Sequence, residues 1–162
     1  MHTLNLRNLT ASLLSLLRQG MTPGRLAFTV ALGFAIGCFP VFGTTTIICA
    51  LIALAFRLNL PAIQVGNYLA LPVQLALVIP FMRMGEHIFH AAPLTLSPEK
   101  LLAMTQNAPE STMRAMLAAQ WHAMFAWLLV APLMVAVLTL VLRPLIARML
   151  SLASRRALPQ AS

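Results

Sequence analysis

The stretch LAFTVALGFAIGCFPVFGTTTIICALIALAF, residues 26–56, decides the fold. It runs 31 residues without a charge and is interrupted at its middle by Gly37-Cys38-Phe39-Pro40-Val41-Phe42-Gly43. As one helix it would measure roughly 46 Å at about 1.5 Å per residue, well over the ~30 Å of a hydrocarbon core. Two full crossings would need about 40 apolar residues, more than the stretch contains. The lengths favour two half-helices, 26–39 and 44–56, each about 20 Å long. They meet at a break made by Pro40 and Gly43. Backbone that leaves a helix inside lipid must be buried in protein or line a cavity, so function is expected at the break.

Composition points the same way. Of 162 residues, 60% are hydrophobic and 9% charged, too little charge to cover a soluble domain of this size. The net charge is +8, from eleven Lys and Arg against three acids, all Glu. The basic residues flank apolar runs without interleaved aromatics, so the expected partner is an anionic membrane face and not nucleic acid. Cys38 and Cys49 lie inside the first apolar stretch and read as buried free thiols. Residues 9–17 are apolar but end in Arg18-Gln19-Gly20 without a small-x-small site, so no cleaved signal peptide is expected.

Five segments follow. Residues 1–24 form an amphipathic N-terminal segment, in which Leu6, Leu9, Leu13, Leu16 and Leu17 recur at helical spacing between Arg7 and Arg18, the pattern of an interfacial helix. Residues 25–86 hold the hairpin and a second uncharged run, 58–82, long enough for one tilted crossing. That run contains Pro61, Asn67, Pro72, Gln74 and Pro80, and Pro72 predicts a bend or break at Leu71. Residues 87–120 form a polar connection where Ser97-Pro98-Glu99 and Pro109-Glu110 have the form of helix starts. Residues 121–150 form a C-terminal transmembrane helix with interfacial Trp121 and Trp127 and a kink at Pro132. Residues 151–162 form a basic flexible tail. The expected fold is therefore an all-α integral membrane domain: an interfacial helix, a re-entrant hairpin, a proline-broken second segment and a terminal spanning helix.

Charge placement supports the hairpin. Arg7, Arg18 and Arg25 flank one end of the chain and Arg143, Arg148, Arg155 and Arg156 the other. Residues 83–120 balance Arg83, Lys100 and Arg114 against Glu86, Glu99 and Glu110. Both termini should be cytoplasmic. A single crossing by residues 26–56 would put the C-terminal arginines outside, whereas a hairpin returns Arg57 to the cytoplasm and all flanks agree. A re-entrant second run would also move the C-terminal arginines outside.

From Thr22 to Gly85 the chain resembles a bacterial family, the membrane domain of unknown function 2062. The resemblance rests on Thr22-Pro23, Ala31-Leu32-Gly33-Phe34-Ala35-Ile36-Gly37-Cys38-Phe39-Pro40-Val41-Phe42-Gly43-Thr44-Thr45, Arg57-Leu58-Asn59-Leu60-Pro61-Ala62, Gly66-Asn67-Tyr68, Leu71-Pro72-Val73-Gln74 and Arg83-Met84-Gly85. Many members carry Asn-Pro and a nearby Thr where this chain has Leu71-Pro72 and Gln74. Some relatives resemble fusions to a glycosyltransferase acting on lipid-linked sugars, which implies envelope glycolipid chemistry in the bacterial inner membrane without assigning an activity.

The candidate anion site joins the two half-helix starts, with Thr44, Thr45, Thr46, Asn67 and Gln74 as ligands. Free N–H donors and a positive dipole end suit phosphate, and broken helices hold anionic substrates this way in transporters. Arg25, Arg57 and Arg83 are interfacial cations that would draw a lipid phosphate in. The plainer alternative is that these polar groups satisfy one another. Gly33 and Gly37 read as helix-packing residues. Glu86 and His90 share a helical face that His122 would approach, but the spacing falls short of a metal site, and Glu86 reads as the partner of Arg83. No metal, cofactor or catalytic set is assigned, and the chain leans away from being an enzyme. The leading expectation is a protein that binds or translocates an anionic lipid or lipid-linked sugar carrier, as a homo-oligomer. The alternative is an accessory module anchoring a lipid-modifying membrane enzyme.

Overall fold

A computed structural model describes residues 21–94 and 97–157. The amphipathic helix expected over residues 2–20 lies outside these, as do residues 158–162. Among the described residues the chain is all-helical: α1 (Pro23–Gly37), α2 (Thr45–Ala55), α3 (Leu60–Leu69), α4 (Leu71–Ile88), α5 (Pro98–Asn107) and α6 (Pro109–Ala157).

Local chemistry explains most boundaries. Pro23 opens α1, and the Thr22 hydroxyl accepts the Arg25 N–H at 3.3 Å, satisfying one of the donors a helix start leaves free. Asn59 caps α3 through the Ala62 N–H at 2.8 Å. The helices end differently from the usual glycine stop. Arg57 (φ 50°) and His90 (φ 52°) take the left-handed conformation after α2 and α4. The N–H groups of Leu58 and Ala91 then close back on the Ala53 and Glu86 carbonyls at 2.8 and 2.9 Å. This is the Schellman pattern.

The chain folds back between α1 and α2. The Arg25 guanidinium, at the start of α1, donates to the carbonyl of Arg57, just past the end of α2, at 3.1 Å. α3 then runs parallel to α1 in close contact, because the facing positions are glycines. A Cβ at Gly33 would overlap the Ile63 carbonyl, and one at Gly66 the Val30 carbonyl. Ile36, Cys49, Ala53 and Ile63 form the core between α1, α2 and α3. α3 and α4 meet at Ala70 with a bend of 60°, and Pro72 sits in the first turn of α4, where its missing N–H costs nothing.

α6 packs antiparallel to α1: Arg143 lies against Gly24, Trp127 against Ala35 and Gln120 against Pro40. It also packs on α4, through Phe81, Ala123 and Ala126 and at Gly85, where a Cβ would overlap the His122 carbonyl. α6 is 49 residues long, about 73 Å, and so crosses both expected segment boundaries, at 120 and at 150. Those boundaries followed charge, whereas a helix propagates through Arg, Glu, Met and Ala at little cost. The expected flexible tail is helical to Ala157, and Pro132 and Pro144 lie within one uninterrupted helix. α6 is long and apolar enough to cross a membrane; α3 and α4 would be a second such span if counted together.

Candidate functional site

The break between α1 and α2 is the centre of the molecule's polar chemistry. Gly43 turns the chain at φ 81°, a conformation that costs glycine nothing. Three carbonyls where α1 ends accept side-chain donors from other helices, those of Ala35 and Phe39 in addition to the backbone N–H groups of Cys38 and Val41. Trp127 Nε1 donates to the Ala35 carbonyl at 2.9 Å, Gln74 Nε2 to that of Phe39 at 2.6 Å, and Gln120 Nε2 to that of Pro40 at 2.6 Å. Phe39 also meets the Trp127 ring edge-on, centroids 4.8 Å apart. Beside it, Trp121, Met124, Phe125 and Leu128 complete an apolar cleft of about 210 Å³.

A second network ties α2 to α3. Asn67 Nδ2 donates to Thr46 Oγ1 at 3.3 Å and to Gln64 Oε1 at 3.2 Å, and Gln64 Nε2 donates to the Thr46 carbonyl at 3.1 Å. Asn67 and Gln74 are both buried. Their amide donors therefore serve the protein's own acceptors, as backbone and side chains away from water require.

The start of α2 differs. Thr44 takes the capping position but supplies no side-chain cap. Its hydroxyl donates backward to the Val41 carbonyl at 3.0 Å. Thr45 is buried and Thr46 exposed, with Phe42 and Gly43 exposed beside it. The first N–H groups of α2 point along the helix axis with the positive end of its dipole, an arrangement that accepts an anion. Of the five candidate ligands, the three threonines line this end, Asn67 touches it through Thr46, and Gln74 faces the end of α1 instead. Pro40 is buried and Pro72 exposed. Gly37, like Gly33, faces α3: a Cβ there would lie 2.6 Å from Ala70 Cβ.

The charged candidates divide between two places. Arg25 and Arg57 meet at the base of the hairpin. Arg83 is on α4, where Nη1 pairs with Glu86 at 2.9 Å. The other carboxylate oxygen of buried Glu86 accepts the Leu94 N–H at 2.8 Å, pinning the chain that follows α4. His122 stacks on Phe89, centroids 4.6 Å apart. Among the described residues no three His, Cys, Asp or Glu side chains gather as metal ligands.

Gln120 and Trp127 are the residues that reading the sequence missed. Trp127 has the look of an interfacial anchor, but its indole N–H serves a carbonyl within the bundle. The signal for Gln120 was an amide at the head of an apolar helical run, since such a group needs a partner inside the protein.

With this geometry in view, the chain belongs to the family described as an uncharacterized protein conserved in bacteria (DUF2062), whose model matches residues 6–157. The match takes in α6 as well as the hairpin and the α3–α4 pair. No curated protein and no solved structure matches the chain.

Proposed function

We propose that this member of the DUF2062 family is a multi-pass protein of the bacterial cytoplasmic membrane that binds, and moves, the phosphate-bearing headgroup of an anionic lipid or lipid-linked sugar carrier. In this reading α1 and α2 are a re-entrant hairpin, the bent α3–α4 pair is one crossing and α6 is another, with both termini cytoplasmic. The apolar outer surface supports the placement. Only 11% of the most apolar window of α6 is buried, unlike the mostly buried core helix of a soluble domain, and Leu128, Leu133, Val137 and Leu140 all face outward.

The observation that carries the lipid reading is the uncapped start of α2 at Thr44–Thr46. It lies about 20 Å from the hairpin base by the length of α1, deep within a ~30 Å hydrocarbon core. The apolar cleft lined by Phe39 and Trp127 borders the same break and suits a hydrocarbon chain. A second reading, an accessory module that positions a lipid-modifying enzyme, is favoured by the engagement of Asn67 and Gln74 with internal acceptors, which a purely structural break also requires.

Native mass spectrometry of the lipids retained by the purified chain tests the proposal against a T44V/T45V/T46V variant. Wild type is expected to keep one phosphorylated lipid class and the variant to lose it. A bulk-like mixture on both would sink the site and leave the accessory reading.

A further inference from the structure

Outside the break, one end of the bundle collects positive charge that no ion pair among the described residues balances. Arg25 and Arg57 meet there through the 3.1 Å bond from the Arg25 guanidinium to the Arg57 carbonyl. α6 brings a third cation: the Arg143 side chain lies over Gly24, its Nε 3.8 Å from where a Cβ would stand. Gly24 belongs to the first turn of α1, a turn without an acidic residue. Arg143 therefore rests against the positive end of a helix dipole, over the residue that precedes Arg25 in the chain, a placement electrostatics disfavours in the absence of an anion.

The chain's few carboxylates are elsewhere. Glu86 is committed to Arg83 and Leu94. Glu99 is in the first turn of α5, and Glu110 is in the first turn of α6, about 50 Å along that helix from Arg143. All three arginines are exposed, and each guanidinium presents planar N–H donors that match phosphate oxygens.

We propose that Arg25, Arg57 and Arg143, with the amino end of α1, form a clasp for the phosphate of an anionic phospholipid at the cytoplasmic surface of the membrane. The clasp rests on the membrane placement proposed above, but not on the site at Thr44–Thr46. It ties the hairpin base to α6 through a lipid, which would make the seating of the hairpin sensitive to the anionic lipid content of the bilayer. The lipid is the favoured source of phosphate because the cluster lies where the apolar surface of α6 gives way to charge.

The test titrates the full-length protein, in neutral detergent, with phosphatidylglycerol and separately with phosphatidylcholine, reading bound lipid by native mass spectrometry. Wild type should prefer phosphatidylglycerol. At roughly fivefold per cation near an anionic headgroup, R25Q/R143Q should weaken phosphatidylglycerol binding about thirtyfold and leave phosphatidylcholine unchanged. R143Q alone keeps the Arg25–Arg57 bond that helps hold the hairpin, and should weaken it about fivefold. A charge-matched R114Q/R148Q variant should stay within about twofold of wild type if contact and not net charge decides.

Equal losses in the charge-matched variant, or full binding by R25Q/R143Q, would overturn the clasp. Displacement of phosphatidylglycerol by millimolar inorganic phosphate would overturn the lipid as its source. The T44V/T45V/T46V variant, run alongside, separates the two sites: it should keep this phosphatidylglycerol preference even if the site at the break fails.

Discussion

Replacing Gly37 by alanine tests the contact that brings α1 and α3 together. A Cβ at Gly37 would sit 2.6 Å from Ala70 Cβ and 2.7 Å from the Asn67 carbonyl oxygen, where ordinary contact begins near 3.4 Å. Relief requires the helices to part by about 0.7 Å, and a gap of that order forfeits a quarter to a half of each dispersion contact along the interface. Overpacking of this kind costs about 1–3 kcal/mol. The helical preference of alanine over glycine returns less than ~1 kcal/mol, because Gly37 is the last residue of α1. The net expectation is a loss of about 1–2 kcal/mol, measured as a shift in reversible unfolding of the purified protein in mixed micelles, followed by far-ultraviolet circular dichroism. G37A/A70G removes one of the two clashes and should recover about half of the loss. G43A is the contrast: nothing lies within 4 Å of a Cβ there, but φ is 81°, so its cost of about 1 kcal/mol is purely backbone and indifferent to A70G. Wild-type stability in G37A, or no recovery in G37A/A70G, would refute the packing account.

Two further outcomes are expected. Q120L strands the Pro40 carbonyl and should destabilise the protein by about 1–3 kcal/mol, whereas W127F leaves the Ala35 carbonyl with the Cys38 N–H at 3.3 Å and should cost about 0.5–1.5 kcal/mol for the lost bond. Both should speed amide exchange in residues 38–44, and unchanged exchange there would mean that these donors do not hold the break. In a C38A/C49A background, single cysteines introduced at Thr22 and Arg57 should label from the cytoplasmic face and one at Glu110 from the opposite face. Thr22 and Arg57 on opposite faces would rule out a re-entrant hairpin.

Much of the fold is legible along the chain because its causes are local. The break at 37–43 follows from an uncharged stretch of intermediate length punctuated by Pro40 and Gly43. The bend at Ala70 follows from Pro72, which is comfortable only in a helix's first turn. The starts of α5 and α6 follow from Ser97-Pro98 and Pro109. The Arg83–Glu86 pair follows from a three-residue spacing on one helix. α6 was harder to delimit, since charge marks the edge of an apolar run and not the end of a helix.

The candidate site was legible only in its ingredients. Sequence alone determined that this chain breaks its helices at two prolines, surrounds the breaks with amides and hydroxyls, and carries far more arginine than acid. Tertiary structure decided which acceptor each donor meets: Gln74 reaches across 35 positions to Phe39, Gln120 across 80 to Pro40, and Trp127 across 92 to Ala35. It likewise decided that Arg143 lies over the start of α1. The physical reason is that capping and turn chemistry act within a few residues and leave a spacing to read, whereas a hydrogen bond or charge cluster between distant helices depends on how those helices pack, which no local spacing encodes.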